Sequence, residues 1–171
     1  MNLSILFSEK QRFNQWWFWL IMAVINGLFI FGLVEQFFFE KPFGDKPISN
    51  AGLAIIAGAM LLFTLVLFFS QLQTRITEEG ISVRLFPFHF RFRRYSWNEI
   101  SKVYVRDYSP LAEYGGWGLR YSLSGHGKAY NMSGKQGLQL VFQNGKKLLI
   151  GTRKAKELKE VIEKLVPQTN A

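Results

Sequence analysis

The stretches Trp16–Val34 (WWFWLIMAVINGLFIFGLV) and Ile48–Leu72 (ISNAGLAIIAGAMLLFTLVLFFSQL) decide the fold class, because neither contains Asp, Glu, Lys or Arg. A helix rises about 1.5 Å per residue, so ~20 apolar residues cross a hydrocarbon layer of roughly 30 Å. Both stretches read as transmembrane helices, joined by the short segment Glu35–Pro47 with its breakers Pro42, Gly44 and Pro47. Two such helices linked so briefly form an antiparallel hairpin. The first run is longer than the ~7–15-residue core of a signal peptide. Gly32-Leu33-Val34-Glu35 is also a poor cleavage site, so the helix is read as retained.

Working outward, Trp16, Trp17 and Trp19 crowd the entrance of the first helix, and Phe37, Phe38, Phe39 and Phe43 follow its exit. Aromatic rings favour the membrane interface. Lys10 and Arg12 precede the first helix, and Arg75, Arg84, Arg91, Arg93 and Arg94 follow the second. The connection holds only Lys41 and Lys46 against Glu35, Glu40 and Asp45. Excess Lys and Arg stay on the cytoplasmic side, so both termini are expected on that side, in a multi-pass arrangement. The organisation reads as a cytosolic segment 1–15, helix 16–34, external loop 35–47, helix 48–72, a cytosolic domain 74–166 and a tail 167–171. Within the hairpin, Ala23/Gly27 and Ala54/Gly58 have the small-xxx-small spacing that lets helices approach closely. Asn26, near mid-membrane, is expected to bond between helices.

A mean hydropathy of +0.05 conceals this division. Residues 74–171 carry 17 Lys/Arg against 8 Asp/Glu, and residues 1–73 carry 4 of each, so the whole +9 belongs to the C-terminal part. There is no cysteine, which excludes disulfides, a thiol nucleophile and Cys-based metal sites.

The C-terminal part alternates like a β domain. Ile81–Phe86 has period 2 until Pro87, after which Phe88, Phe90 and Phe92 alternate with His89, Arg91 and Arg93, apolar on one face and cationic on the other. Ser101–Asp107 gives another strand, Tyr108–Gly116 a long loop, and Gly118–Leu123 and Lys128–Met132 weaker strands. Leu138–Phe142 and Lys147–Ile150 flank Asn144-Gly145, the dipeptide favoured in a type I′ hairpin turn. From Thr152 to Val166, Ala155, Leu158, Ile162 and Leu165 mark one apolar helix face, ended by Pro167. Trp97, beside Ile100, reads as core.

This order resembles the pleckstrin-homology-like (PH-like) fold, and more closely the bacterial PH-like domains that follow one or two membrane helices. The matching stretches are Arg75–Ile81, Tyr95–Ile100, Glu113–Arg120 and Gly145–Thr152. The resemblance implies an α+β membrane protein: a two-helix transmembrane hairpin, then an antiparallel β-sandwich or barrel of about seven strands capped by a C-terminal helix. It implies a binding role without naming the ligand, because one fold hosts many functions.

The residues show no catalytic constellation. His89 and His126 read as surface strand or turn residues, and Glu99 as a turn residue without a partner at fixed spacing. Gly116-Trp117-Gly118 is not a dinucleotide fingerprint, and Ser133-Gly134-Lys135-Gln136 is not a P-loop. No enzyme activity and no cofactor are therefore expected. Arg84, Arg91, Arg93 and Arg94 are the candidate contacts to anionic lipid headgroups, each Lys or Arg at such a leaflet being worth ~1 kcal/mol. Tyr108, Tyr114 and Trp117 make the loop 108–117 a candidate site for a protein partner, since Tyr and Trp dominate binding hot spots; the alternative is that Trp117 and Tyr114 fold back to plug the sheet. Self-association through the small residues of the helices is compatible with either reading. Nucleic acid is set aside, because the Phe88/Phe90/Phe92 alternation looks like core rather than a stacking platform.

Overall fold

A computed structural model describes residues 4–122 and 125–165. The chain divides into two compact units, residues 14–69 and the two flanks of that segment taken together. Leu123, Val166 and the tail 167–171, which the expected strand, helix and tail include, lie outside the described residues.

The first unit holds two helices, α1 (Trp16–Phe38) and α2 (Asn50–Phe69), each long and apolar enough to cross a membrane. Ser49 starts α2: its carbonyl accepts from Leu53 N–H and its hydroxyl from Gly52 N–H. The seam between the helices buries Met22, Gly32 and Gln36 of α1 and Leu53 and Ala57 of α2. Its polar groups bond inward. Asn26 Nδ2 donates to Thr64 Oγ1 at 2.9 Å and to Met22 O at 2.7 Å. Gln36 Nε2 donates to Ile48 O and Asn50 Oδ1, both at 2.8 Å. The small-residue pairs do not form this seam: Ala23, Gly27, Ala54 and Gly58 are exposed, and a methyl added at Gly27 or Gly58 would meet nothing within 4 Å. These buried seam residues and the Asn26–Thr64 bond fix the rotation of the helices instead. The uncharged run 48–72 is not one element either. It changes from helix to strand at Ser70, and Leu72 already packs, fully buried, in the β unit.

The second unit contains a strand in the segment before α1: β1 (Ile5–Arg12). It pairs antiparallel with β2 (Gln71–Thr77), which continues the order β1-β2-β3-β4 with β3 (Gly80–Phe86) and β4 (Arg93–Ser96). The register sets Arg12 opposite Gln71 and Gln71 opposite Phe86. The helical hairpin is thus inserted, in sequence, between two strands that are neighbours in one sheet. A turn at Trp97–Glu99 leads to β5 (Ile100–Asp107), and a short helix α3 (Pro110–Tyr114) lies within the expected loop. Next come β6 (Gly118–Tyr121), β7 (Lys128–Asn131), β8 (Gln136–Phe142), β9 (Lys147–Thr152) and α4 (Ala155–Leu165).

The second sheet has the order β5-β8-β9-β7-β6. The expectation of about seven antiparallel strands is therefore corrected: the sheets hold four and five strands, and β7 runs parallel to β9. The β8–β9 turn folds β9 back along β8, and β7 occupies the edge of β9 left free. That turn also differs from type I′. Gly145 N–H bonds to Phe142 O, so Gln143 and Asn144 are its central residues, and Gly145 takes the left-handed φ of 76°. Asn144 keeps a negative φ, as a three-residue hairpin loop requires.

One core joins both sheets and α4: Phe7, Leu72, Ile76, Ile81, Val83 and Leu85 meet Tyr130, Met132, Leu138, Leu140, Leu148 and Ile150 under Leu158 and Ile162. Trp97 and Ile100 pack against it. β1 is tied to the far end of the chain. Glu9 Oε2 accepts from Thr152 Oγ1 at 2.6 Å, Glu9 Oε1 from Arg153 N at 2.9 Å, and Gln11 Nε2 donates to Gly151 O at 2.7 Å.

Candidate functional site

The connection from β3 to β4 brings most of the candidate arginines together. Pro87 lacks an N–H and ends the ladder of β3. His89 N–H then bonds to Leu85 O at 2.7 Å, turning the chain back. Residues 87–92 form this turn rather than a strand, so the period-2 expectation fails and the faces exchange. Phe88 and Phe90 stand 59% and 75% exposed, while His89, expected on the surface, is 7% exposed. Its ring lies edge-on against Tyr130 at 5.1 Å. Burial lowers the His89 pKa below its ordinary 6.5, helped by the positive charges of Arg93 and Lys128.

The guanidinium groups take different roles around this turn. Arg75 and Arg84 sit over the ring of Phe92, 4.5 and 4.8 Å from its centre. Arg84 also donates to Gln73 Oε1 at 2.9 Å and Phe90 O at 3.5 Å, which fixes it along the turn. Arg93 donates to Tyr130 Oη at 3.3 Å. Arg91, Arg93 and Arg94 are exposed. Among the described residues, none of these arginines has a carboxylate within 4.0 Å. Cations without internal counter-charges beside two exposed phenylalanines suit an anionic surface with an apolar layer beneath it. The register places this turn at one end of the first sheet: it leaves from Phe86, opposite Gln71, and Gln71 is opposite Arg12.

The second candidate loop is arranged otherwise. Ser109 caps α3, its hydroxyl accepting from Ala112 N–H, and Gly115 ends it at a left-handed φ of 68°. Tyr108 and Tyr114 are each 4% exposed, and with Ala129 and Leu149 they form a small second core. Trp117 is half-buried. The two tyrosine rings thus cover the face of the second sheet opposite the main core, at Ala129 and Leu149, and leave Leu111 as a large exposed apolar side chain of the loop. Burial pushes the Tyr108 hydroxyl up to about 12. Arg106 Nη2 bonds Glu113 Oε2 at 2.7 Å and Tyr114 Oη at 3.3 Å, locking α3 onto β5. The Arg106 hydrogen bond holds the Glu113 carboxyl below its ordinary value, against the opposing effect of burial. His126 Nε2 lies 3.9 Å from the same carboxylate, too far for a hydrogen bond.

β1 and the inward His89 were not legible as site elements. A proline ending a strand was the available signal for the turn, whereas β1 carries no hydropathy alternation, since its inward residues Glu9 and Gln11 are polar. Comparison with protein-family models and with curated proteins gives no match to the chain.

Proposed function

We propose that this chain is a two-pass inner-membrane protein whose β unit rests on the cytoplasmic leaflet as a non-catalytic binding module. Phe88 and Phe90 enter the interface, and Arg91, Arg93 and Arg94, with Arg84 behind them, face anionic headgroups. The observation that carries this reading is the register that puts Arg12, Gln71 and Phe86 at one end of the first sheet. Both ends of the helical insertion leave the unit there, one residue beyond Phe13 and one before Ser70, and the Phe88–Phe90 turn leaves from the same end. A sheet tethered by that end has its basic aromatic turn within reach of the bilayer, at high effective concentration. Three exposed arginines at ~1 kcal/mol each give about 3 kcal/mol on an anionic leaflet, and nearly nothing beyond a Debye length of ~8 Å.

The membrane reading itself is supported by an inside-out pattern. Leu28, Ile55 and Leu62 are exposed, while Asn26, Thr64 and Gln36 bond within the hairpin. A soluble core helix buries its apolar side chains, and a lipid-facing one exposes them. Removal of α1 as a signal segment would also take away β1 and with it Phe7 from the core. The pairing of β1 with β2 supports a hairpin with both ends on one side of the bilayer, and the Lys/Arg excess supports the cytoplasmic side. Two sheets closed by a C-terminal helix fit the PH-like resemblance, with the parallel β7–β9 pair as this chain's departure from it.

A second reading, self-association, is favoured by the outward position of Ala23, Gly27, Ala54 and Gly58, where another copy's helix finds no bulky side chain. The leaflet reading is tested with a fluorophore on Phe90→Cys in the full chain, in bilayers with and without anionic lipid. Quenching by lipids carrying a shallow spin label, stronger with anionic lipid and lost at high salt, is expected. A label quenched only by aqueous iodide in both bilayers refutes it.

A further inference from the structure

The β unit has a cleft of roughly 930 Å³ between β4 and the β7, β8 and β9 strands of the second sheet. It exists because, among the described residues, β4 pairs with β3 alone and its other edge has no partner strand. Strand alternation points Arg93 and Tyr95 from one face of β4, and Lys128 and Tyr130 from one face of β7. Lys147 at the start of β9 and Phe142 at the end of β8 complete the inner wall. The cleft thus draws cations from three strands, and none of the three has a carboxylate within 4.0 Å among the described residues. Glu99 reaches the lining without joining an ion pair with them.

The rings are arranged for contact with a flat group. Tyr95 and Phe142 lie 5.2 Å apart at a tilt of 49°, and burial, reinforced by Tyr130, pushes the Tyr95 hydroxyl up to about 12. Tyr95 is therefore neutral at physiological pH and adds no repulsion to an anion. Tyr121 is 60% exposed at the mouth, with Lys128 Nζ 5.0 Å from its ring centre. Tyr130 is nearly fully buried, and its hydroxyl holds Arg93 at 3.3 Å. Behind it His89 is 7% exposed, and its Nδ1 has no hydrogen-bond partner among the described residues. Small-molecule sites have this composition at about 300–1,000 Å³: mostly rings, with a few convergent polar groups.

We infer that this cleft binds a small phosphate ester carrying a flat ring, of mononucleotide size. The phosphate lies among Arg93, Lys128 and Lys147, and the ring against Tyr95, Phe142 or Tyr121. The charge fits a multiply charged anion, since three cations around a single carboxylate would leave the site strongly positive. A bare phosphate would leave the rings without a contact. Arg93 is shared with the proposed leaflet contacts, whereas Lys128 and Lys147 belong to the cleft alone, so changes at the two lysines test this site independently of the leaflet reading.

The test uses the full chain in zwitterionic nanodiscs, with AMP, ATP, adenosine and pyrophosphate titrated by calorimetry. AMP or ATP is expected to saturate, with adenosine and pyrophosphate each about tenfold weaker or more. Lys128→Ala and Lys147→Ala should each weaken nucleotide binding by about 3- to 10-fold. Lys156→Ala on α4 and Phe90→Ser should leave it unchanged, with circular dichroism confirming that every variant is folded. No saturable binding of either nucleotide up to about 10 mM overturns the inference. So does equal affinity for pyrophosphate and AMP, or binding insensitive to both lysine changes in folded protein.

Discussion

Phe7→Ala is the perturbation that separates an integral β1 from a dispensable tail. Phe7 is 2% exposed and lies in the core with Leu72 and Ile76, opposite Ile76 in the register. Truncating a buried phenylalanine costs about 3–5 kcal/mol through lost transfer energy and the cavity left behind. A domain of this size has roughly 5–15 kcal/mol in total, so the change removes a large share of its stability. Ile5→Ala is the internal control, because Ile5 is 54% exposed and a surface truncation stays within about 0.5 kcal/mol. Hydrogen exchange of the full chain, followed peptide by peptide, reads the effect at its site. Amides of β2 and β3 that exchange by unfolding of the unit should do so at least about 100-fold faster in Phe7→Ala, and nearly unchanged in Ile5→Ala. Protection in β2 that is identical in Phe7→Ala and wild type would refute the pairing of β1 with β2.

Removing the Asn26–Thr64 bond, with Asn26→Leu, Thr64→Val and the double change, should give a coupling of about 0.6–1.7 kcal/mol in a steric-trap or unfolding assay of the hairpin; additivity would mean the bond is not formed. The pH dependence of the β unit has a defined sign. His89 has a folded pKa below 6.5, so its contribution is complete above 6.5 and is lost as pH falls from there through the folded value. Glu113 is likewise depressed, and its contribution is complete above its ordinary 4.5 and lost at lower pH. Melting temperature should therefore fall in two steps on acidification, the upper one absent in His89→Phe and the lower one in Glu113→Gln. Gly127 has a φ of 80°, and an added Cβ would strike the carbonyl oxygen of Lys147. Gly127→Ala should cost at least about 1 kcal/mol by thermal melting, whereas Gly145→Ala, with open space at its Cβ, should cost less.

Much of this fold is legible in the residues because the signals are local. The apolar runs gave both helices, the alternation of Ile81–Phe86 gave β3, and the 3-4-3 spacing of Ala155, Leu158, Ile162 and Leu165 gave the apolar face of α4. β1 escaped because Phe7 is followed inward by Glu9 and Gln11, polar residues that hydropathy assigns to solvent. They are buried only because Thr152, Arg153 and Gly151, some 140 residues away in sequence, bond them. The end of α2 escaped because no charge separates Phe69 from Leu72, although one faces outward and the other is core. At the candidate site the arginines were readable as a cluster. The exposure of Phe88 and Phe90 was not, since a turn after Pro87 cancels the strand period from which their burial was expected. The cleft was not readable at all, because Arg93 of one sheet meets Lys128 and Lys147 of the other only through tertiary packing.

The chain contains no native cysteine, so one introduced thiol reports one position. Single substitutions Ser8→Cys on the exposed face of β1, Asp45→Cys between the helices and Lys156→Cys on α4 are to be labelled with a membrane-impermeant maleimide, first on intact cells and then on inverted vesicles. A hairpin inserted between paired strands should give Asp45→Cys labelled only from outside, and Ser8→Cys and Lys156→Cys only in inverted vesicles. Labelling of Ser8→Cys and Asp45→Cys from the same side would contradict a spanning hairpin whose ends are held together by β1 and β2.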